Sequence, residues 1–251
     1  MATGHSLGPD VAAVILAGGF GTRIRHLLAD LPKPMAPVAG RPFVEWVVRF
    51  LARQGVTRLV LSTGYRAETI AEHFARHPLP GVSIVCAPET EPLGTGGGVI
   101  QAAGGLGGPT PRLWLVLNGD SLAFADLAAA RAPLLADPGV AGVIVGRYLA
   151  DAGRFGTLDT NDDGRLLRFA EKRPGSGVIN TGIYLLRHEL LAEFPAQRPL
   201  SIEQDVFPTL LARGHRLQVV TTDAAFLDIG TPESLPEAEG FVREHAGEFL
   251  A

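Results

Sequence analysis

Five runs of apolar, largely β-branched residues mark the first 150 positions: VAAVIL (11–16), RLVLST (58–63), VSIVCA (82–87), LWLVLN (113–118) and AGVIVG (141–146). They lack a strict apolar–polar alternation, which is the pattern of strands covered on both faces. Between them the period changes. In PFVEWVVRFLARQG, Phe43, Val47, Phe50 and Leu51 recur at helical spacing, Pro42 suits the first turn and Gly55 suits a C-terminal stop. Strands alternating with amphipathic helices predict right-handed βαβ units and a mostly parallel sheet.

After Tyr148 the pattern shifts again. FGTLDTNDDGRLLRFAEK places two short strands around NDDG, where Asp163 and Gly164 suit the positive φ angles of a tight hairpin. This predicts a small antiparallel excursion on the substrate side of the sheet. TGIYLL, a helix around Leu190, EQDVFPTLLARG, LQVVTT and AFLDIG complete the expected core, and PEAEGFVREHAGEF reads as a last helix. The expected architecture is α/β and three-layered, Rossmann-like, with a mixed, mostly parallel central sheet. One domain is expected over residues 11–251, after a flexible extension over residues 1–10.

Composition narrows the class. With 251 residues and 46% apolar content the chain can bury a full core. The 22 Lys and Arg against 26 Asp and Glu leave a net charge of −4, scattered in both signs with no basic block, so neither nucleic acid nor a membrane is an expected partner. The N-terminal MATGHSLGPD carries no cationic start or hydrophobic stretch, and no later run approaches the roughly 20 apolar residues of a membrane helix. A cytoplasmic protein is expected. The single cysteine, Cys86, excludes an internal disulfide and reads as a small buried hydrophobe. The seven histidines show no metal-ligand spacing; His26 lies nearest the candidate chemistry.

That chemistry begins where the first strand exits into LAGGFGTRIRHLLADLPKPM. Gly18, Gly19 and Gly21 let the backbone approach a polyphosphate closely, so that amides converge on anionic oxygens. Arg23 adds a fixed positive fork, and Lys33, between Pro32 and Pro34, adds a point charge on a stiffened segment. A P-loop ending in Gly-Lys-Ser/Thr is absent, and the acidic residue of a dinucleotide fold does not follow. Two later apolar runs end in acids, Asp120 in LNGD and Asp228 in AFLDIGT. Ligands of parallel α/β sheets sit beyond the carboxyl ends of strands, so both can face one site and offer oxygen ligands to Mg²⁺. Each aspartate alone equally suits a cap on the following turn.

Taken together, GGFGTR at 18–23 and PKP at 32–34 resemble the nucleotidyltransferases that activate sugar 1-phosphates with nucleoside triphosphates, in an order that continues from about Val11 to Glu239. LADLPKPMAPVAGRPFVEW, EPLGTGGGV, LNGDS, GRFGTL and LDIGTPE are most similar to heptose 1-phosphate guanylyltransferases; muramic-acid 1-phosphate uridylyltransferases share much of this. The resemblance implies transfer of a nucleoside monophosphate to a sugar 1-phosphate by direct attack on the α-phosphate, with no covalent intermediate. It implies a nucleotide site at Leu16, Ala17, Gly18, Gly19, Gly21, Thr22 and Arg23, with Glu89 or Glu91 and the backbone of Thr95, Gly96 and Gly97 meeting the base. Arg23, Lys33 and Asp120 become the catalytic residues, and Asp120 and Asp228 the Mg²⁺ ligands. Glu171, Lys172, Asn180 and Gly182 become the sugar-phosphate residues, although a Glu-Lys pair alone reads as solvated surface. Glu203 and Asp205 suit a helix start as well as a site.

GTP and a heptose 1-phosphate are the favoured substrates, with UTP, ATP or a cyclitol 1-phosphate as alternatives and a homo-oligomer left open. A glycosyltransferase and a non-catalytic nucleotide sensor are the rival classes; the first calls for a D-x-D-like motif where this chain has NGDS.

Overall fold

The computed structural model describes residues 6–19, 21, 24–28, 30–170 and 174–250. Its strands are β1 Val11–Ala17, β2 Pro37–Val38, β3 Arg41–Pro42, β4 Arg58–Thr63, β5 Ser83–Pro88, β6 Leu113–Asn118, β7 Ser121–Ala123, β8 Val140–Leu149, β9 Thr157–Thr160, β10 Leu166–Ala170, β11 Gly177–Arg187, β12 Arg216–Thr221 and β13 Phe226–Asp228. The α-helices are α1 Phe43–Arg53, α2 Ala67–Arg76, α3 Gly94–Gly105, α4 Leu127–Ala136, α5 Phe207–Ala212 and α6 Glu237–Glu244.

Among the described residues, nine strands form one sheet. β1 lies between β4 and β6, parallel to both, and β5 continues the parallel set beyond β4. β11 runs antiparallel to β6, carries β8 along its other edge, and leads through β9 to the β9–β10 hairpin. β12 pairs in parallel with β8. The sheet is thus mixed, with the parallel part where the apolar runs predicted it. β11 is bulged between Asn180 and Ile183, where its neighbour changes from β9 to β6.

The two faces of β1 feed two cores. Val11, Ala13, Ile15 and Ala17 pack with α1, α2, α4 and α6, while Ala12 and Val14 pack with α3 and α5. Residues of both sets are almost fully buried, which is why these strands show no alternation in sequence. Phe43, Val47, Phe50 and Leu51 of α1 are all buried, as their spacing predicts.

Three expectations need correction. Leu7 is fully buried, donates its N–H to the Gln54 carbonyl at 3.0 Å and accepts from Arg131, so residues 6–10 pack onto the body; residues 1–5 lie outside the described residues. In the hairpin turn only Gly164 has a positive φ, +73°, because the Asn161 carbonyl and side chain accept from the Gly164 and Arg165 amides and close the turn without a second such residue. Around Leu190 the chain forms a 3₁₀ segment, His188–Glu193, which ends as Phe194 turns extended ahead of Pro195. Among the described residues no helix is long and apolar enough to cross a membrane.

Candidate active site

The parallel strands β1, β4, β5 and β6 all end on one edge of the sheet, and the loops leaving them enclose a cleft of about 720 Å³. Leu16, Ala17, Gly18, Gly19 and Gly21 form one wall. Within the sheet Leu16 stands between Ser62 and Asn118, and Asn118 also faces the cleft. A Cβ on Gly18 would lie 2.9 Å from Glu89 Oε1, and one on Gly64 would lie 2.6 Å from the Gly18 carbonyl oxygen. Only residues without side chains allow three strand ends to converge this tightly. Thr22 and Arg23 lie outside the described residues.

Beside the loop, where a Cβ on Gly21 would lie 2.8 Å from Lys33 Cβ, Lys33 Nζ is 2.5 Å from Asp120 Oδ2, and the lysine side chain is only 12% exposed. Asp120 follows β6, and Asp228 ends β13, which pairs with β7 so that Asp228 stands opposite Ser121. The Ser121 hydroxyl lies between the carboxylates, 3.2 Å from Asp120 Oδ1 and 3.1 Å from Asp228 Oδ2, and its single proton can serve only one at a time. The Gly230 amide donates to Asp228 Oδ1 at 2.7 Å. Burial and then the neighbouring Asp120 charge hold the Asp228 carboxyl above its ordinary value, against the opposing pull of Lys33, Gly230 and Ser121. Two carboxylates facing each other with one ammonium beside them form an all-oxygen donor set of the kind that a hard divalent cation takes.

The loop that leads into α3 divides its residues between the cleft and the packing beneath it. Thr95 faces the cleft, and its Oγ1 accepts from the Ile202 amide at 2.8 Å. Gly96 and Gly97 lie beneath that wall. The Gly96 N–H is engaged by the Leu200 carbonyl at 2.8 Å, and Cβ atoms at the two positions would meet Leu200, Val206, Leu93 and Arg198. Their smallness serves the packing of α3 against the 198–206 segment, and the Gly96 amide is not free to read a base. Glu89 lines the cleft while accepting from Ser62 Oγ at 2.8 Å and from the Leu93 amide at 3.1 Å, so its carboxylate also holds the loop in shape. Glu91 lines the same cleft.

Asn180 and Gly182 sit on the β11 bulge. Gly182 has φ +78°, and a Cβ there would run into the Asn118 amide, so the bulge is pressed against a cleft residue. The Asn180 side chain turns inward, accepting from the Gly182 N–H at 3.0 Å and donating to the Tyr184 hydroxyl at 2.6 Å. Glu171 and Lys172 lie outside the described residues. His26 is exposed and does not line the cleft.

Glu203 and Asp205, which suit a helix start or a site equally in sequence, divide between the two, and Tyr184 carries polar chemistry that no motif announces. Glu203 lines the cleft, whereas Asp205 caps the start of its helical segment by accepting from the Ser201 amide at 2.7 Å. Tyr184 is fully buried and donates to Glu203 Oε1 at 3.0 Å. The available signal was a tyrosine inside an otherwise apolar strand, since a buried hydroxyl needs a partner.

The nucleotidyl transferase family model matches residues 12–245. The chain belongs to that family. It is 37% identical over 230 residues to mannose-1-phosphate guanylyltransferase of Mycobacterium tuberculosis, covering 89% of this chain and 62% of the relative. It is 34% identical over 225 residues to D-glycero-alpha-D-manno-heptose 1-phosphate guanylyltransferase of Campylobacter jejuni, covering 88% and 95%. Among solved structures, HddC from Yersinia pseudotuberculosis complexed with GMP-PN superposes with a TM-score of 0.78 at 32% identity, over 92% of this chain and 98% of that one. This member of the family is therefore homologous to sugar 1-phosphate guanylyltransferases, enzymes of nucleotide-sugar biosynthesis.

Proposed function

We propose that this chain transfers GMP from GTP to a sugar 1-phosphate of manno configuration, releasing pyrophosphate, with a heptose 1-phosphate as its preferred acceptor. The observation that carries the chemistry is the cluster of Lys33, Asp120 and Asp228 beside the glycine loop, with Lys33 packed against Gly21. GTP is supported by the guanylyltransferase relatives and by the GMP-PN complex of HddC. The manno configuration is what the mannose and heptose relatives have in common, and the motifs LADLPKPMAPVAGRPF and EPLGTGGGV favour the heptose.

In the proposed reaction a phosphate oxygen of the sugar 1-phosphate attacks the α-phosphorus, a P–O bond forms, and the bond to the departing pyrophosphate breaks. The protein's task is to align two anions and to stabilise charge on oxygen. Gly18, Gly19 and Gly21 present backbone to the triphosphate, Lys33 and Arg23 supply positive charge, and Thr95 and Glu89 or Glu91 flank the base. Asn180, Gly182, Glu171 and Lys172 receive the sugar phosphate. The carboxylates of Asp120 and Asp228 fit Mg²⁺ and would hold it. When bound, Mg²⁺ supplies Lewis-acid charge at the phosphate oxygens.

Pyrophosphate release is the decisive assay, with GTP, UTP and ATP each paired with heptose, mannose and cyclitol 1-phosphates. GTP with the heptose should give the highest kcat/KM. A site that hydrogen-bonds a hydroxyl or a base edge rejects the analogue lacking it by large factors. A mannose or cyclitol phosphate outpacing the heptose would replace the acceptor, equal use of UTP would remove the base assignment, and no acceptor-dependent release would sink the activity.

A further inference from the structure

The β11 bulge on the acceptor side and the α3 loop on the nucleotide side are joined by an unbroken run of hydrogen bonds through the protein interior. It starts at Asn180, whose amide orientation is set because its Oδ1 must accept the Gly182 N–H; its Nδ2 therefore points at the Tyr184 hydroxyl, 2.6 Å away. The hydroxyl, receiving that proton, gives its own to Glu203 Oε1 at 3.0 Å. Glu203 Oε2 accepts from Ser201 Oγ at 3.0 Å and from Thr95 Oγ1 at 3.4 Å, and Thr95 Oγ1 in turn accepts from the Ile202 amide at 2.8 Å. Each donor in the run has one acceptor direction that satisfies its neighbours.

Packing leaves this chain little freedom to rearrange. Tyr184 is fully buried, and its ring packs edge-on against Phe207 with centroids 5.1 Å apart. At one end, Gly182 is pressed against Asn118, a cleft residue; at the other, Thr95 and Glu203 both line the cleft. A displacement of the bulge therefore misaligns Asn180, and through Tyr184 it disturbs the carboxylate beside Thr95. A buried polar chain of this kind is costly when only partly satisfied, so a shift at one end is felt at the other.

We propose that Tyr184 and Glu203 are positioning residues that couple the two substrate subsites, so that a nucleotide at Thr95 orders the acceptor bulge and a sugar 1-phosphate binds more tightly to the nucleotide-loaded enzyme. The inference rests on the assignment of the cleft to nucleotide and of the bulge to acceptor made above. Neither residue need touch a substrate, because ordering one end of the chain removes part of the ordering cost at the other.

The test is a binding cycle on the full chain. Heptose 1-phosphate and mannose 1-phosphate are titrated calorimetrically into the protein, with Mg²⁺, alone and saturated with a GTP analogue that cannot transfer its α-phosphate. In the wild type the nucleotide should tighten acceptor binding at least about 5-fold, the lower end of ordinary coupling between sites. In Tyr184→Phe, which keeps the packed ring and loses only the hydroxyl, the ratio should fall to roughly one, while each ligand still binds singly. Glu203→Ala should abolish the coupling in the same way and carries the test if Tyr184→Phe does not fold. Tyr148→Phe, at an exposed tyrosine that takes no part in this run of hydrogen bonds, should keep the wild-type ratio. Persistent coupling in Tyr184→Phe or Glu203→Ala would overturn the inference, as would a wild type that binds both ligands independently, with the proposed activity intact in either case. A wild type that binds no nucleotide would remove both.

Discussion

Lys33 and Asp120, 87 positions apart in the chain, meet as an ammonium and a carboxylate 2.5 Å apart in the cleft, next to the glycine loop. The Lys33 side chain is largely shielded from water, so its charge acts at lower effective dielectric than a surface lysine. Lys33→Ala should lower kcat by about 10²- to 10³-fold, the loss expected for one preorganised charge-stabilising donor. The KM for GTP should change far less. A variant with raised KM and normal kcat would show that Lys33 only binds.

Asp228 leads to a second prediction, because its carboxyl is held above its ordinary value first by burial and then by Asp120. Replacing either aspartate by asparagine removes a ligand charge while keeping the side-chain shape. Asp120→Asn and Asp228→Asn should each abolish turnover at ordinary Mg²⁺ with circular dichroism unchanged, and excess Mg²⁺ should restore part of it. Wild-type Mg²⁺ dependence in either variant would remove that residue from the proposed metal site.

What could be read from the chain was whatever depends on local burial. RLVLST and LWLVLN coincide with β4 and β6 to the residue because a strand covered on both faces is apolar along its whole length. Asp120 and Asp228 do come together, but only Asp120 follows a parallel strand; Asp228 ends β13, which pairs with β7 in a separate two-stranded sheet. The Tyr184–Glu203 contact was not legible, since it depends on the register of β11 and on a bulge that no local pattern announces. GTGGG is ambiguous in a different way. Glycines that admit a ligand and glycines that admit a neighbouring segment look alike in sequence, and at Gly96 and Gly97 a Cβ would meet the 198–206 segment or Leu93.

The glycines of α3 can be separated by substitution. Gly94 has φ +74°, and a Cβ there would sit 2.5 Å from the Leu200 carbonyl oxygen. Gly94→Ala should therefore destabilise by more than about 1 kcal/mol, since it adds strain and a backbone clash together. Gly104, in the same helix, is exposed, and a Cβ added to it would have nothing within 4 Å, so Gly104→Ala should stabilise by about 0.5–1 kcal/mol. Thermal unfolding of the two variants side by side checks the sign of each. A stabilised Gly94→Ala would show that the α3 loop yields at no cost.

Away from the cleft, Glu45 on α1 is 1% exposed and meets two guanidinium groups and an imidazole: Arg41 Nη1 at 2.6 Å, Arg49 Nε at 2.8 Å and His73 Nε2 at 2.8 Å. Burial alone would raise its carboxyl, but hydrogen bonds from Arg49 and His73 and the charges of Arg41 and Arg49 outweigh it, and the net shift is downward from the ordinary value of 4.5. A folded-state value below the unfolded one means that the unfolded chain takes up the proton first as pH falls. The contribution of Glu45 is therefore complete above the ordinary value and is lost as pH drops through the folded one. Glu45→Gln should cost about 3 kcal/mol near neutral pH, the lower end for breaking a buried ion pair. Urea midpoints of wild type and Glu45→Gln, followed from neutral pH into the acid range, should converge below the ordinary glutamate value. Parallel loss of stability in the two proteins would show that the Arg41–Glu45–Arg49–His73 cluster contributes nothing to the acid sensitivity of the fold.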